Sequence, residues 1–434
     1  MDMDCPKGSA SAAVGFPNDP LLEIVSRVPF RSMCRFKCVA KAWHDLIVDP
    51  LHRRKLPQTL EGLFHEVHRR RDESAEHNTG RKRRHGCVGY FDLSGTSVPI
   101  VEPFFTFLPK LAAPEDIRLL DTCHGLLLLD RCYNSDTPSY VVCNPATEQW
   151  VAVPESDQAP PPENGTSAYL MSNPDVSGHF DLIQFEVDVL LTGVTCVHTY
   201  SSKTGAWTHS ESDWSVEEKQ APCEGWRYQS GSLLVPERKS TVINGMLYLI
   251  CDAGGDGPVL DGDHLIAVDA QGKTRELITL PFQMQREKFN TVSDFVGQSQ
   301  GLLHYVNHAE PEEYTDYDYP SEQSAKVHTE DADDVDSELS IWVLKGDGTQ
   351  EWDLKHSVSF LHLFGEKSCQ AGVDYNVVAI HPDRDMVFFL WHDQLISYDM
   401  CSKEVLVLHT ISDTYGFASY VPCFSESPAL TNKF

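Results

Sequence analysis

Several things that would assign this chain a class outright are scarce or missing. No apolar run approaches membrane-spanning length, and Met1-Asp2-Met3-Asp4 offers neither the basic start nor the apolar core of a secretory leader. The expectation is a soluble intracellular protein with no membrane partner. Positive charge is in short supply: 35 Lys and Arg stand against 64 Asp and Glu, a formal charge of −29. Phosphate neutralisation needs clustered cations, so no nucleic-acid partner is expected. The 13 cysteines are scattered, odd in number and never spaced Cys-x-x-Cys, which argues for reduced thiols rather than a disulfide framework.

Catalytic arrangements are equally thin. His304, His308, His356, His362, His381 and His392 are dispersed, with no His-Glu-x-x-His spacing, and there is no Gly-x-Ser-x-Gly elbow. Gly254-Gly255-Asp256-Gly257 neither opens a helix nor carries the Lys of a phosphate loop, so it reads as a turn. Cys34 and Cys38 lie one helical turn apart, but no nearby His or Cys completes a tetrahedral set. No cofactor, no metal site and no catalytic residue is expected.

What the chain does have begins at residue 16. In Phe16-Pro17-Asn18-Asp19-Pro20-Leu21-Leu22-Glu23-Ile24-Val25-Ser26-Arg27-Val28-Pro29, the residues Leu21, Ile24, Val25 and Val28 recur at the spacing of one helix face. Asp19 can cap that helix and Pro20 suits its first position. Pro29 ends it, Ser32 can cap a second helix, and Val39, Trp43, Leu46 and Ile47 continue a helical period up to Asp49-Pro50. Three short helices are predicted, too small a unit to be stable without cover for its apolar face.

These residues, together with Arg35-Phe36 and Lys41, resemble an F-box. It departs from the family pattern at Phe16, where Leu is usual, at Pro20, and at Ala40 and Ala42. The resemblance implies that Phe16, Pro17, Leu21, Leu22, Ile24, Val25, Val28, Pro29, Val39 and Trp43 bind a Skp-type adaptor. Through that adaptor the chain would join cullin and RING subunits.

Past residue 86, short apolar runs alternate with Gly, Asn, Asp and Pro, the pattern of a many-stranded β domain. Tyr140–Trp150, His198–Trp207, Leu265–Leu277, Leu339–Trp352 and Leu395–Val405 each read as strand, turn and return strand, and each follows another apolar strand. Irregular spacing fits a propeller of four-stranded blades better than a solenoid. Trp150, Trp207, Trp342 and Trp352 recur at matching positions and read as blade core. A last blade could close with Cys87–Asp92 pairing near Gly416–Cys423, bringing the count to about six. Gly-Leu-Leu before a strand, and Asn-Pro-x-Thr followed by Trp and Pro, resemble the F-box-associated, kelch-like domains of plant F-box proteins.

The predicted fold class is therefore α + all-β: a three-helix F-box module, then a propeller. The expected divisions are a disordered start (1–15), the module (16–60), a basic linker (61–85), the propeller (86–424) and a tail (425–434). Residues 310–338, dense in Asp and Glu and carrying Tyr314, Tyr317 and Tyr319, read as a disordered acidic insertion. In the linker, Arg69-Arg70-Arg71 and Arg81-Lys82-Arg83-Arg84 resemble a bipartite nuclear-import signal and equally suit a solvated linker. Location in the nucleus, the cytoplasm or both is expected.

The function this implies is substrate recognition in an SCF-type cullin-RING ubiquitin ligase, with the propeller holding an unknown target protein. The alternatives are a propeller that senses a sugar or metabolite, and a kelch-type oxidase, against which the lack of a clustered Tyr, Cys and His copper set counts.

Overall fold

The computed structural model of the chain describes residues 18–28, 32–33, 36, 39–48, 60–68, 86–93, 105–108, 117–130, 139–156, 158, 165–172, 178–188, 193–211, 233–234, 240–252, 264–281, 295–309, 337–346, 349–366, 369, 374–411, 414–423 and 426–432. The chain divides into two compact units at residues 58 and 59.

In the first unit, the helix Asn18–Val25 places Pro20 in its first turn, where a missing N–H costs nothing. A second helix spans Lys41–Val48. Ser32, Met33 and Phe36 are helical between them, and the limits of the expected middle helix fall outside the described residues, as do Cys34 and Cys38. Leu22, Val25, Met33, Leu46 and Ile47 are buried.

The second unit is a six-bladed β-propeller. It opens with β1 (Gly62–His68) and β2 (Gly86–Asp92). Blade one is β3 (Arg118–Cys123), β4 (Leu126–Asp130), β5 (Tyr140–Asn144) and β6 (Gln149–Ala152); blade two is β7 (Gly165–Ser172), β8 (Phe180–Asp188), β9 (Gly193–Ser201) and β10 (Ala206–Glu211). In blade three, β11 (Leu233–Leu234) and β12 (Thr241–Ile243) both pair with β13 (Met246–Asp252), followed by β14 (His264–Val268) and β15 (Thr274–Thr279). Blade four is β16 (Phe295–Ser299), β17 (Leu302–Ala309), β18 (Glu338–Leu344) and β19 (Trp352–Ser359). Blade five is β20 (Tyr375–Ile380), β21 (Met386–Trp391), β22 (Gln394–Asp399) and β23 (Val405–Thr410), and blade six joins β24 (Thr414–Tyr420) to β1 and β2.

Apolar layers lie between blades rather than at the centre. Leu182 and Tyr200 of blade two pack with Leu128 of blade one, Phe185 and Val197 pack with Leu247 of blade three, and the alternation continues around the ring. It closes where Phe64 and Tyr420 of blade six meet Leu127 and Leu129 of blade one. Inner blade strands are therefore buried on both faces, which is why Leu126–Leu129 and Tyr140–Cys143 are unbroken apolar runs.

The repeated turns have a common chemistry. His124-Gly125, Asn244-Gly245 and Gln300-Gly301 all take positive φ at both positions, the geometry of a two-residue hairpin turn matched to strand twist. This is the physical content of the Gly-Leu-Leu pattern. Between the third and fourth strands, Asn144, Asp269 and Asp399 accept backbone N–H groups two residues ahead through their side-chain oxygens. Trp207 and Trp352, on outermost strands, each donate an indole N–H to the preceding blade, at the carbonyls of Pro154 and Thr279.

Closure differs from the sequence expectation in one strand. Cys87–Asp92 does lie in the closing blade, but it pairs with β1, and β1 alone pairs with β24. The propeller thus begins near Leu60, which is buried, and the expected linker from 61 to 85 contains a strand. That strand lacked alternation because Leu63, Phe64, His65 and Glu66 are all buried. His65 stacks on Phe91 with ring centres 4.2 Å apart, and Glu66 accepts the Leu119 N–H of blade one at 3.0 Å.

The expected tail is corrected too. Leu430 is buried in the layer between blades one and two, and Ser427 donates its hydroxyl to the Gly178 carbonyl at 2.6 Å. Residues 310–336 of the acidic insertion lie outside the described residues; Ser337 is buried and Glu338 begins β18.

Candidate functional site

The helical module sorts the apolar residues of its first helix into two sets. Leu22 and Val25, both named as adaptor contacts in the sequence, are buried in the chain alone. Ile24 is 55% exposed and Val39 is 68% exposed, whereas most aliphatic side chains among the described residues are inside. Leu21, Val28 and Trp43 are half-buried, and the Trp43 ring lies 5.1 Å from that of Phe36. Phe16, Pro17 and Pro29 are outside the described residues.

The two rims of the propeller are unequal. Each blade is an antiparallel meander, so the links from first to second and third to fourth strand share one rim. Those links include His124-Gly125, Asn244-Gly245 and Gln300-Gly301, all tight turns. The links from second to third strand, and from blade to blade, leave from the other rim. There β1 and β2 are joined by 69–85, β13 and β14 by 253–263, and β17 and β18 by 310–337. Blades two and five are exceptions, with residues 189–192 between β8 and β9 and only His392 and Asp393 between β21 and β22. Both basic clusters, Arg69-Arg70-Arg71 and Arg81-Lys82-Arg83-Arg84, lie within the 69–85 connection and outside the described residues.

At the long-connection rim of blade two, one sheet face changes character. Leu182, Tyr200 and Trp207 sit side by side on it, two residues further toward the rim come Gln184, His198 and His209, and the next step has Glu186 opposite Cys196. The other face carries Ile183, Phe185 and Val197 in an apolar layer, with the hydroxyls of Thr199 and Thr208 paired to each other beside them. His198 Nε2 lies 3.3 Å from Glu186 Oε2, His198 Nδ1 lies 2.5 Å from His209 Nδ1, and the Cys196 thiol donates to the Ser210 carbonyl at 3.1 Å. Burial, first, holds His198 below the usual histidine range, although Glu186 pulls the other way. Periodicity did not single out these residues, because Glu186, the Cys196–His198 pair and His209 lie on three separate strands and only Cys196-x-His198 is a local pattern.

The histidines picked out in the sequence are distributed, not convergent. His304 and Lys355 meet Asp385 on the short-turn rim, where Lys355 Nζ is 2.6 Å from Asp385 Oδ1 and 3.1 Å from His304 Nε2. Hydrogen bonding from Lys355 lowers the Asp385 carboxyl. His356 bonds the Tyr398 hydroxyl at 2.8 Å, His362 the Lys403 carbonyl at 2.9 Å, and His381 Nδ1 accepts the N–H groups of Asp383 and Arg384. Each of these holds a turn or joins blade four to blade five. Trp150 is buried as expected, and Trp207, Trp342 and Trp352 are partly buried against the interblade layers.

Comparison with known proteins agrees with both units. Residues 15–55 match the F-box domain, and residues 84–317 match the family described as F-box protein At3g26010-like, beta-propeller. The F-box protein At3g26010 of Arabidopsis thaliana is 25% identical over 403 residues, which cover 89% of this chain and 77% of that protein. The F-box protein At1g49990 of Arabidopsis thaliana is 29% identical over 220 residues, covering 44% of this chain and 49% of that protein. Among solved structures, TolB from Acinetobacter baumannii aligns with a TM-score of 0.41 and 10% identity over 87% of this chain and 72% of that one. With an F-box at 15–55 and a propeller match over more than half its length, the chain belongs to the At3g26010-like family of F-box proteins with a β-propeller.

Proposed function

We propose that the protein is a substrate-recognition subunit of an SCF-type cullin-RING E3 ubiquitin ligase. An F-box joined to a propeller is in general the arrangement of such a receptor. The observation that carries the specific reading is the exposure of Ile24 and Val39 on the module, beside Leu22 and Val25, which are buried. Exposed aliphatic groups on so small a unit gain by being covered, and a Skp-type adaptor is the partner an F-box implies.

The target protein would be held by the propeller rim that carries the long connections, since connection length is what varies there. The chain itself performs no bond-making step. It raises the effective concentration of target lysines beside a ubiquitin-loaded enzyme, turning a bimolecular encounter into a quasi-intramolecular one. Ubiquitin transfer then belongs to the partner subunits. Arg69-Arg70-Arg71 and Arg81-Lys82-Arg83-Arg84 would give an import receptor access to the chain, placing it in the nucleus as well as the cytoplasm.

The test is co-purification of the full chain with a Skp-type adaptor. Ile24→Asp combined with Val28→Asp should abolish it while leaving the β-sheet circular dichroism of the propeller intact. Adaptor recovery equal to wild type in that double variant would refute the surface.

A further inference from the structure

We propose that Glu186, Cys196 and His198 form a binding site for a divalent transition metal, zinc first, at the long-connection rim of blade two. One ligand atom from each lies within 4.8 Å of the other two. Tetrahedral zinc with bonds of about 2.0 to 2.3 Å separates its ligand atoms by roughly 3.5 Å, so about an ångström of side-chain contraction closes the site. The 3.3 Å between His198 Nε2 and Glu186 Oε2 already matches.

Backbone register, rather than side-chain flexibility, brings the three together. Glu186 on β8 is directly opposite Cys196 on β9, and His198 follows Cys196 by two residues, on the same face. Glu186 and His198 are both buried, so a carboxylate and an imidazole face each other where water is scarce. A cation between them relieves the cost of burying that charge.

The donor set selects the ion. Thiolate, imidazole and one carboxylate suit zinc and disfavour magnesium and calcium, which need all-oxygen shells. Binding sends the Cys196 thiol proton to solvent and takes the His198 Nε2 lone pair. His198 Nδ1–H then donates to His209 Nδ1, 2.5 Å away, which sets the tautomer and aims the ring. Three protein ligands leave a fourth position for water or for a group on a bound partner. Cys196 and His209 are half-buried near the outermost strand, which gives the ion an entry path.

The test uses the full chain, stripped with a chelator, desalted and titrated with zinc sulfate, with retained metal counted after gel filtration. Cobalt(II) loading reports the ligands independently, because a thiolate adds a sulfur-to-metal charge-transfer band. Wild type should retain one zinc per chain and show that band. Cys196→Ser should lose the band, His198→Gln should weaken binding at least about tenfold, and Cys401→Ser, at an exposed cysteine elsewhere, should change neither. Failure of wild type to retain zinc, or an unchanged band and stoichiometry in Cys196→Ser and His198→Gln, overturns the proposal. Should those variants misfold, the isosteric Glu186→Gln decides: unaltered zinc affinity overturns the site, and a loss of about tenfold or more supports it.

Discussion

Trp150 and Asn432, 282 residues apart, exchange two hydrogen bonds: the Asn432 backbone N–H donates to the Trp150 carbonyl at 2.7 Å, and the Trp150 N–H donates to the Asn432 side-chain oxygen at 2.9 Å. Trp150 lies on β6, the outermost strand of blade one, so the end of the chain satisfies peptide groups that would otherwise form an open sheet edge. Removal of residues 426–434 should destabilise the propeller by about 3–4 kcal/mol, from two hydrogen bonds and the burial of Leu430. Asn432→Ala alone should cost about 1 kcal/mol. Urea unfolding followed by fluorescence measures both, and a truncation as stable as wild type would show that the end of the chain is an ornament.

Strand β1 sits between β2 and β24, with Leu63 and Phe64 fully buried. A fragment of residues 59–434 should therefore unfold cooperatively near the wild-type midpoint. A fragment of residues 86–434 lacks the strand that joins the two ends of the ring and should lose at least about 5 kcal/mol, from two large side chains and a double ladder. Equal thermal midpoints for the two fragments would contradict the closure.

Ile24 and Val25 are adjacent but face different environments. Val25→Ala should destabilise the module by about 1–3 kcal/mol, read as faster hydrogen exchange over residues 18–48. Ile24→Ala should change its stability by no more than about 0.5 kcal/mol while weakening adaptor capture. The reverse pattern would invert the assignment of inside and outside.

Burial holds the imidazoles of His65 and His381 down at about 4, against an ordinary value of 6.5. Between those values the unfolded chain takes up a proton at each site and the folded chain does not, so stability rises with pH. Each group contributes about 1.4 kcal/mol per pH unit in that window. The stability they provide is complete above pH 6.5 and is lost as pH falls toward 4. Unfolding midpoints should fall as pH is lowered across this range, and His65→Phe, with no proton to gain on unfolding, should flatten the dependence. A variant with the wild-type pH slope would dismiss His65 as a contributor.

Local chemistry made much of the architecture readable in advance. The helix spacing of Leu21, Ile24, Val25 and Val28 placed the module, because amphipathicity is a property of a few consecutive residues. Five hairpins were visible because Asn144, Asp269 and Asp399 cap their own turns and the Gly turns need positive φ, and neither effect needs a distant partner.

Strand β1 escaped because it is buried on both faces and carries His65 and Glu66, polar groups whose partners, Phe91 and the Leu119 N–H among them, come from other strands. The same holds for the end of the chain, whose Leu430 and Asn432 look like an ordinary polar tail until blade one meets them. Sequence by itself determined the two units, their order and the blade template, all written in short-range pattern. Tertiary structure decided how the ring closes, which apolar residues of the module stay outside, and that Glu186, Cys196 and His198 share one face, because pairing between distant strands is set by packing and not by neighbours along the chain.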